Sequence, residues 1–217
     1  MSTVTTPGIA PALTDLHLPA QVRAIALVLH GGAEATTEPV DGRSLSWRRA
    51  RALARAIARK VGPEGVGVVV LRYRVKGWNA GGGRQPSPLP DARWALEEVR
   101  TRFGDVPVVL VGHSMGARTS AAVADDPSVR GVVALAPWFP DGEPVTALRG
   151  RLLRAAHGSG DKITSAAATR RFVERASHVG DASFTDMGPV GHYLLRRIPR
   201  WNAFAVAGVR EILATAG

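Results

Sequence analysis

Residues 106–118 read Val-Pro-Val-Val-Leu-Val-Gly-His-Ser-Met-Gly-Ala-Arg. The apolar run Val106–Val111 has the length and β-branched content of a buried strand, and a small-residue run of helical character begins at Met115. Between them stands Gly112-His113-Ser114-Met115-Gly116, a G-x-S-x-G pattern in a strand-turn-helix setting. A serine in so sharp a turn presents its hydroxyl clear of the sheet edge. The flanking Gly112 and Gly116 remove the side chains that would collide around the bend.

Working outward, further apolar runs of strand length occur at Ile25–Leu29, Val66–Tyr73, Val129–Ala136, Arg151–Ala156 and Ala182–Thr185. They are continuously apolar, as in strands buried on both faces. Helical periodicity fills the intervals at Ser46–Val61, Asp91–Phe103, Met115–Ala124, Ser165–Ser177 and Trp201–Ala214, each bounded by turn-forming residues. The alternation predicts an α/β fold with a mainly parallel sheet of about six or seven strands and helices on both faces. In the first helix Arg48, Arg51, Arg55 and Arg59 fall off the apolar stripe, which reads as a solvated basic face. No repeat or linker divides the chain, so residues 1–217 read as one domain, with Met1–Ala12 as a loose leading segment. The longest irregular stretch is Val75–Pro90. Its glycine run is not a phosphate loop, because it lacks the Lys-Ser/Thr ending and does not open a helix.

Composition narrows the chemistry. With no cysteine among 217 residues, a disulfide framework, a thiol nucleophile and thiolate-held metal centres are excluded. Lys and Arg total 28 against 18 Asp and Glu, a net charge of +10, so anionic partners are considered. The excess is almost all arginine, spread along the chain among alanines, which reads as residue usage rather than a nucleic-acid surface. No run approaches the ~20 apolar residues of a membrane-spanning helix. The N-terminus lacks the basic start and apolar stretch of a secretory signal, so the expectation is a soluble, cytoplasmic protein.

A serine hydroxyl is a weak nucleophile until a neighbouring base takes its proton. Candidates for base and acid follow in order. Asp161 ends the turn His157-Gly158-Ser159-Gly160-Asp161 after the Arg151–Ala156 strand, and His192 ends Gly188-Pro189-Val190-Gly191-His192 after the Ala182–Thr185 strand. In a parallel sheet all such strand ends share one edge, so residues distant in sequence can meet there. Asp141, Glu143 and Asp186 compete with Asp161 for the acid role. Leu29-His30-Gly31-Gly32, at the end of an earlier strand, offers backbone N–H groups to a developing oxyanion. The expected donors are Met115 and one of Gly32 or Ala33. His30 and His113 read as packing residues beside these loops, and His17 and His178 as surface residues.

In these motifs the chain resembles the α/β-hydrolase superfamily over about Ile25–Ala214, with an impression of the small dienelactone-hydrolase-like and esterase-like members carried by compact length and the Ala136-Pro137-Trp138 run. The resemblance implies Ser114 as nucleophile, Asp161 as acid, His192 as base and Gly32 with Met115 as oxyanion hole. Two departures stand out. Only Pro137–Arg149 lies where many members insert a cap, and a dienelactone hydrolase proper would use a cysteine. The implied activity is hydrolysis of carboxylic esters or thioesters, on a small-molecule acyl substrate. Rival readings are an acyltransferase, a cofactor-free haloperoxidase-like enzyme, or a non-catalytic binding protein that kept the elbow. Trp78, Trp138 and Phe139 are the expected pocket walls. No metal-ligand spacing and no G-x-G-x-x-G occur, so neither a metal nor another cofactor is expected. A homo-oligomer is left open.

Overall fold

Every side chain of the strand Ala24–Leu29 is buried, because helices cover both faces of the sheet at that point. Ile25, Leu27 and Leu29 point into one core layer, and Ala24, Ala26 and Val28 into the other, as the two-residue period of a strand requires. A computed structural model of the protein describes residues 10–83 and 85–215. Its sheet comprises β1 (Ala12–His17), β2 (Ala24–Leu29), β3 (Val66–Arg72), β4 (Val108–His113), β5 (Val129–Leu135), β6 (Leu152–His157) and β7 (Asp181–Asp186). The spatial order is β1-β3-β2-β4-β5-β6-β7. β1 runs antiparallel to β3, and all other neighbours are parallel.

Helices α1 (Leu45–Val61) and α5 (Ile198–Ala214) cover one face, packing Leu53, Ile57, Trp201 and Val209 onto it. Helices α2 (Pro88–Phe103), α3 (Met115–Ala122) and α4 (Ala166–Ser177) cover the other through Leu96, Met115 and Phe172. The chain steps from β2 outward to β3 and then returns past β2 to β4. The sheet therefore has its topological switch point between β2 and β4, where Leu29 pairs with Gly112. A crevice opens at the carboxyl ends of strands flanking such a point.

Two elements differ from the sequence expectation. β1 is additional: it packs Leu13 against one core layer and Leu16 against the other but leaves Asp15 and His17 exposed, so it lacks the continuous apolarity of the other strands. The expectation of a loose segment over Met1–Ala12 falls on residues 1–9, outside those described, and Ala12 already belongs to β1. α2 begins at Pro88 rather than Asp91, because proline is tolerated in a first helical turn, where its missing N–H has no partner to lose. Between β5 and β6 the chain makes only one short turn of helix, Thr146–Leu148, so there is no cap.

The stretch following β3 is irregular but tied down. Arg74 bonds the buried carboxylate of Asp91 in the first turn of α2, through its backbone N at 2.9 Å and its Nε at 2.5 Å. The Asn79 side chain donates to the Thr36 carbonyl at 2.9 Å and accepts the Thr36 N–H at 2.8 Å. This loop is a clamp on the segment that follows β2.

Candidate active site

β4 ends in a turn that sets Ser114 at φ 55°, ψ −120°, a conformation that costs a non-glycine residue on the order of 1–3 kcal/mol. The surrounding backbone fixes it. Ser114 N–H donates to the Leu135 carbonyl at 3.1 Å, and its own carbonyl accepts from Ala117, Arg118 and Trp138 at 3.1, 3.3 and 3.2 Å. The two glycines of the motif are sterically required. A Cβ on Gly112 would lie 2.4 Å from the Ala117 backbone, and one on Gly116 would lie 2.3 Å from the Leu29 carbonyl oxygen.

The structure brings Ser114, Asp161 and His192 together. His192 Nε2 is 2.9 Å from Ser114 Oγ, and His192 Nδ1 is 2.8 Å from Asp161 Oδ2. With Nδ1–H donating to the carboxylate, Nε2 is left to accept the serine proton. Both Ser114 and His192 are buried. Burial alone would raise the Asp161 carboxyl. Hydrogen bonds from His157, His192 and the backbone N–H groups of Thr164 and Ile163 outweigh it and hold the group well below the usual carboxylate range. The competing acids are engaged elsewhere: Asp141 with Arg171 at 2.8 Å, Asp186 with Arg170 at 3.1 Å and Glu143 with Arg118 at 2.6 Å.

Two partners of Asp161 had no role in the sequence reading. His157 is fully buried at the end of β6. It accepts from the Thr169 hydroxyl at Nδ1 (2.8 Å) and donates from Nε2 to Asp161 Oδ2 (3.0 Å). The Thr164 hydroxyl donates to the same oxygen at 3.0 Å. The legible signal was position alone, four residues before the acid and three after it.

Opposite the serine, Gly32 and Ala33 differ in what their N–H groups meet. Ala33 N–H is taken by the Lys76 carbonyl at 2.9 Å, and the Ala33 carbonyl accepts Trp78 N–H at 2.9 Å. Among the described residues neither Gly32 N–H nor Met115 N–H meets a protein acceptor, and the latter is the first N–H of α3, which no helical bond can use.

His30 and His113 pack beneath these loops, as expected. His30 donates from Nδ1 to the Gly31 carbonyl at 2.7 Å, and burial lowers its pKa to about 4. His113 Nε2–H donates to the His192 carbonyl at 2.9 Å. Burial, with His192 alongside, lowers its pKa to about 3.

The three expected pocket walls separate. Phe139 is 3% exposed and stacks on Phe172 at 3.8 Å, so it is a core residue, a correction to the wall expected of it. Trp78 and Trp138 meet edge-to-face at 6.0 Å, and the Arg118 guanidinium lies 4.0 Å and 4.5 Å from their ring centres. Trp78 and Arg118 line a cavity of about 340 Å³ with Leu89 and Glu143. Among the described residues no cluster of His, Asp and Glu has the geometry to hold a metal ion, and no helix is long and apolar enough to cross a membrane.

A model of the alpha/beta hydrolase family matches residues 26–216. No curated protein matches the chain. Among solved structures, a lidless α/β serine hydrolase from Xanthomonas campestris is 21% identical, with 93% of this chain and 94% of that one aligned at a TM-score of 0.68. A putative α/β hydrolase of unknown function from Agrobacterium tumefaciens is 17% identical over 94% and 91%, TM-score 0.71. An esterase from Thermogutta terrifontis, solved with propionate bound, is 16% identical over 95% and 90%, TM-score 0.69. At these identities the likeness is one of fold.

Proposed function

The chain belongs to the alpha/beta hydrolase family, and on that premise we propose that it is a serine hydrolase cleaving carboxylic esters or thioesters through an acyl-enzyme on Ser114. One observation carries this reading: the unbroken line from Asp161 Oδ2 through both ring nitrogens of His192 to Ser114 Oγ, at 2.8 and 2.9 Å.

In the proposed reaction Ser114 Oγ attacks the acyl carbonyl carbon as His192 Nε2 takes the hydroxyl proton. The imidazolium that forms is held in place and stabilised by the ionised Asp161. The carbonyl oxygen becomes an oxyanion facing the N–H groups of Gly32 and Met115, each contributing on the order of 3 kcal/mol to the transition state. Collapse breaks the bond to the alcohol or thiol, which leaves with the proton returned from His192. Water, deprotonated by the same Nε2, then attacks the acyl carbon and releases the carboxylic acid and free Ser114. Trp78 and Trp138 form the wall nearest the acyl chain, supported by the Ser114 carbonyl's bond to Trp138 N–H. The absence of a cap and the short propionate held by the Thermogutta terrifontis esterase favour short acyl groups.

The test is labelling with a fluorophosphonate probe beside hydrolysis of paired esters and thioesters. The wild-type chain should label and turn over, and Ser114→Ala should fail to label and lose on the order of a million-fold in rate. A Ser114→Ala variant retaining more than about a tenth of the activity removes Ser114 as nucleophile. Transfer of the acyl group to an added alcohol in preference to water would move the assignment to acyltransferase.

A further inference from the structure

A groove of about 600 Å³ runs between the N-terminal half of α1 and the start of α5, walled by Leu45, Arg48, Arg51 and Arg55 on one side and Leu195 and Ile198 on the other. Above a buried floor of Leu53, Leu194 and Trp201, three of its apolar residues stand outward: Leu45 is 69% exposed, Leu195 65% and Ile198 48%. With the half-exposed Tyr193 beside them, they make up most of the large apolar side chains exposed on the described protein. Its charged lining residues are all arginines. Among the described residues none of Arg48, Arg51 and Arg55 has a carboxylate partner. Four arginines within one stretch of α1, Arg48, Arg49, Arg51 and Arg55, line the groove together. Helix N-termini carry partial positive charge, and neither α1 nor α5 has an acid in its first turn to offset it.

We propose that this face docks the protein on an anionic lipid surface, the arginines meeting headgroup phosphates and carboxylates while Leu45, Leu195 and Ile198 enter the headgroup–acyl boundary. Outward apolar side chains among cations fit a layered partner, charged above and hydrocarbon below. A nucleic-acid backbone would use the arginines but has no place for leucine and isoleucine, and it favours stacking platforms. Here no neighbouring aromatic is a free platform: Tyr193 lies 5.0 Å from the Arg49 guanidinium, Trp47 4.7 Å from that of Arg51, and Trp201 is buried. A second copy packed about a two-fold axis would set arginines against arginines with no acid between them.

Position gives the docking a consequence. Helices that follow parallel strands begin at the sheet's carboxyl edge, so the groove opens on the edge that carries Ser114. Tyr193 also joins it to the site, its ring 5.5 Å from that of His192. A docked molecule would present this edge to the lipid.

Cosedimentation with vesicles tests the proposal in the intact chain and in Ser114→Ala, so that the outcome is independent of catalysis. Vesicles of phosphatidylcholine containing about a third phosphatidylserine should capture both proteins, pure phosphatidylcholine should not, and capture should weaken as salt rises. Removing three charges (Arg48→Gln, Arg51→Gln, Arg55→Gln together) should lower vesicle affinity on the order of a hundredfold. The triple change Leu45→Ser, Leu195→Ser and Ile198→Ser should also weaken it while leaving the charge untouched. Circular dichroism and melting confirm each variant's fold. Three results overturn the proposal: vesicle affinity unchanged in both triple variants, duplex DNA competing away the vesicles at equal phosphate concentration, or self-association in solution that the same substitutions abolish.

Discussion

His157 Nε2 donates to Asp161 Oδ2 at 3.0 Å, the oxygen that also receives His192 Nδ1 at 2.8 Å. Asp161 is thus held by a second, fully buried histidine that never approaches Ser114. Each hydrogen bond to the charged group favours its ionised form, and only the ionised form stabilises the imidazolium. His157 therefore acts on the proposed reaction through the acid.

The first prediction follows from that contact. His157→Leu should lower kcat about tenfold to a hundredfold, the worth of one buried charge-assisted hydrogen bond, with little change in KM. His157→Gln, whose amide still donates, should recover part of the loss. Equal rates for the two variants would show that the ring only fills space. By contrast Asp161→Asn should cost about 10⁴-fold, whereas Asp141→Asn and Asp186→Asn, which lose only exposed pairs with Arg171 and Arg170, should stay near wild type. A dead Asp141→Asn beside an active Asp161→Asn would refute the assignment of the acid.

Gly32 supplies the second prediction. A Cβ there would lie 2.2 Å from the Lys76 carbonyl oxygen and 2.5 Å from the Met115 methyl carbon. Gly32→Ala must therefore push the Gly32 backbone, with its proposed oxyanion donor, away from the Lys76 carbonyl, while the flexible Met115 side chain can give way. Loss of one donor corresponds to about 10²–10³ in kcat, and single-turnover measurement on an activated ester reads it directly. Retention of near-wild-type kcat would mean that the oxyanion is held elsewhere.

The third concerns pH and stability. His30 and His113 have native pKa values of about 4 and about 3, below the ordinary 6.5 because both are buried. Between those values and 6.5 the unfolded chain binds more protons than the native one. The stability they contribute is fully present above 6.5 and declines as pH falls toward 4, with a limiting slope of about 2.7 kcal/mol per pH unit. Asp161 acts in a lower window, its contribution being lost only below the ordinary carboxylate range. Urea unfolding from about pH 8 down to about pH 4.5 should trace the histidine decline, and His113→Gln should roughly halve its slope. A flat profile across that interval would refute the account.

The elbow was readable in the sequence because its determinants are local: a buried strand, two glycines forced by close backbone approach and a helix start, all within 106–118. The order of Asp161 and His192 was readable because each closes a glycine-rich turn after an apolar strand. Where the local signal weakened, the reading failed. β1 mixes polar with apolar residues and sits at an edge, so Thr14, Asp15 and His17 masked it. The prolines before Asp91 looked like a loop until a first helical turn accommodated Pro88 and Pro90. Phe139 could have lain on either side of the backbone, and the core against Phe172 claimed it. The basic face of α1 is solvated at Arg48, Arg55 and Arg59, as its spacing off the apolar stripe indicated, but the groove beside it was not legible because Leu195 and Ile198 come from a segment about 140 residues away.

Substrate breadth carries the last prediction. With no inserted helices between β5 and β6, the proposed wall for an acyl chain is Trp78 with Trp138. Arg118 lies against both indoles and pairs with the largely buried Glu143 at 2.6 Å. Each enclosed methylene contributes roughly 0.8 kcal/mol, so kcat/KM should rise over the first few carbons and level off once the chain passes the tryptophans. Trp138→Ala should move that plateau to longer chains, and Glu143→Gln, which strands the Arg118 charge, should blunt selectivity along with about 3 kcal/mol or more of stability. Rates across acetyl to palmitoyl esters in monomeric solution decide it. A steady climb through the long chains would mean a deep enclosed tunnel and would refute the open site.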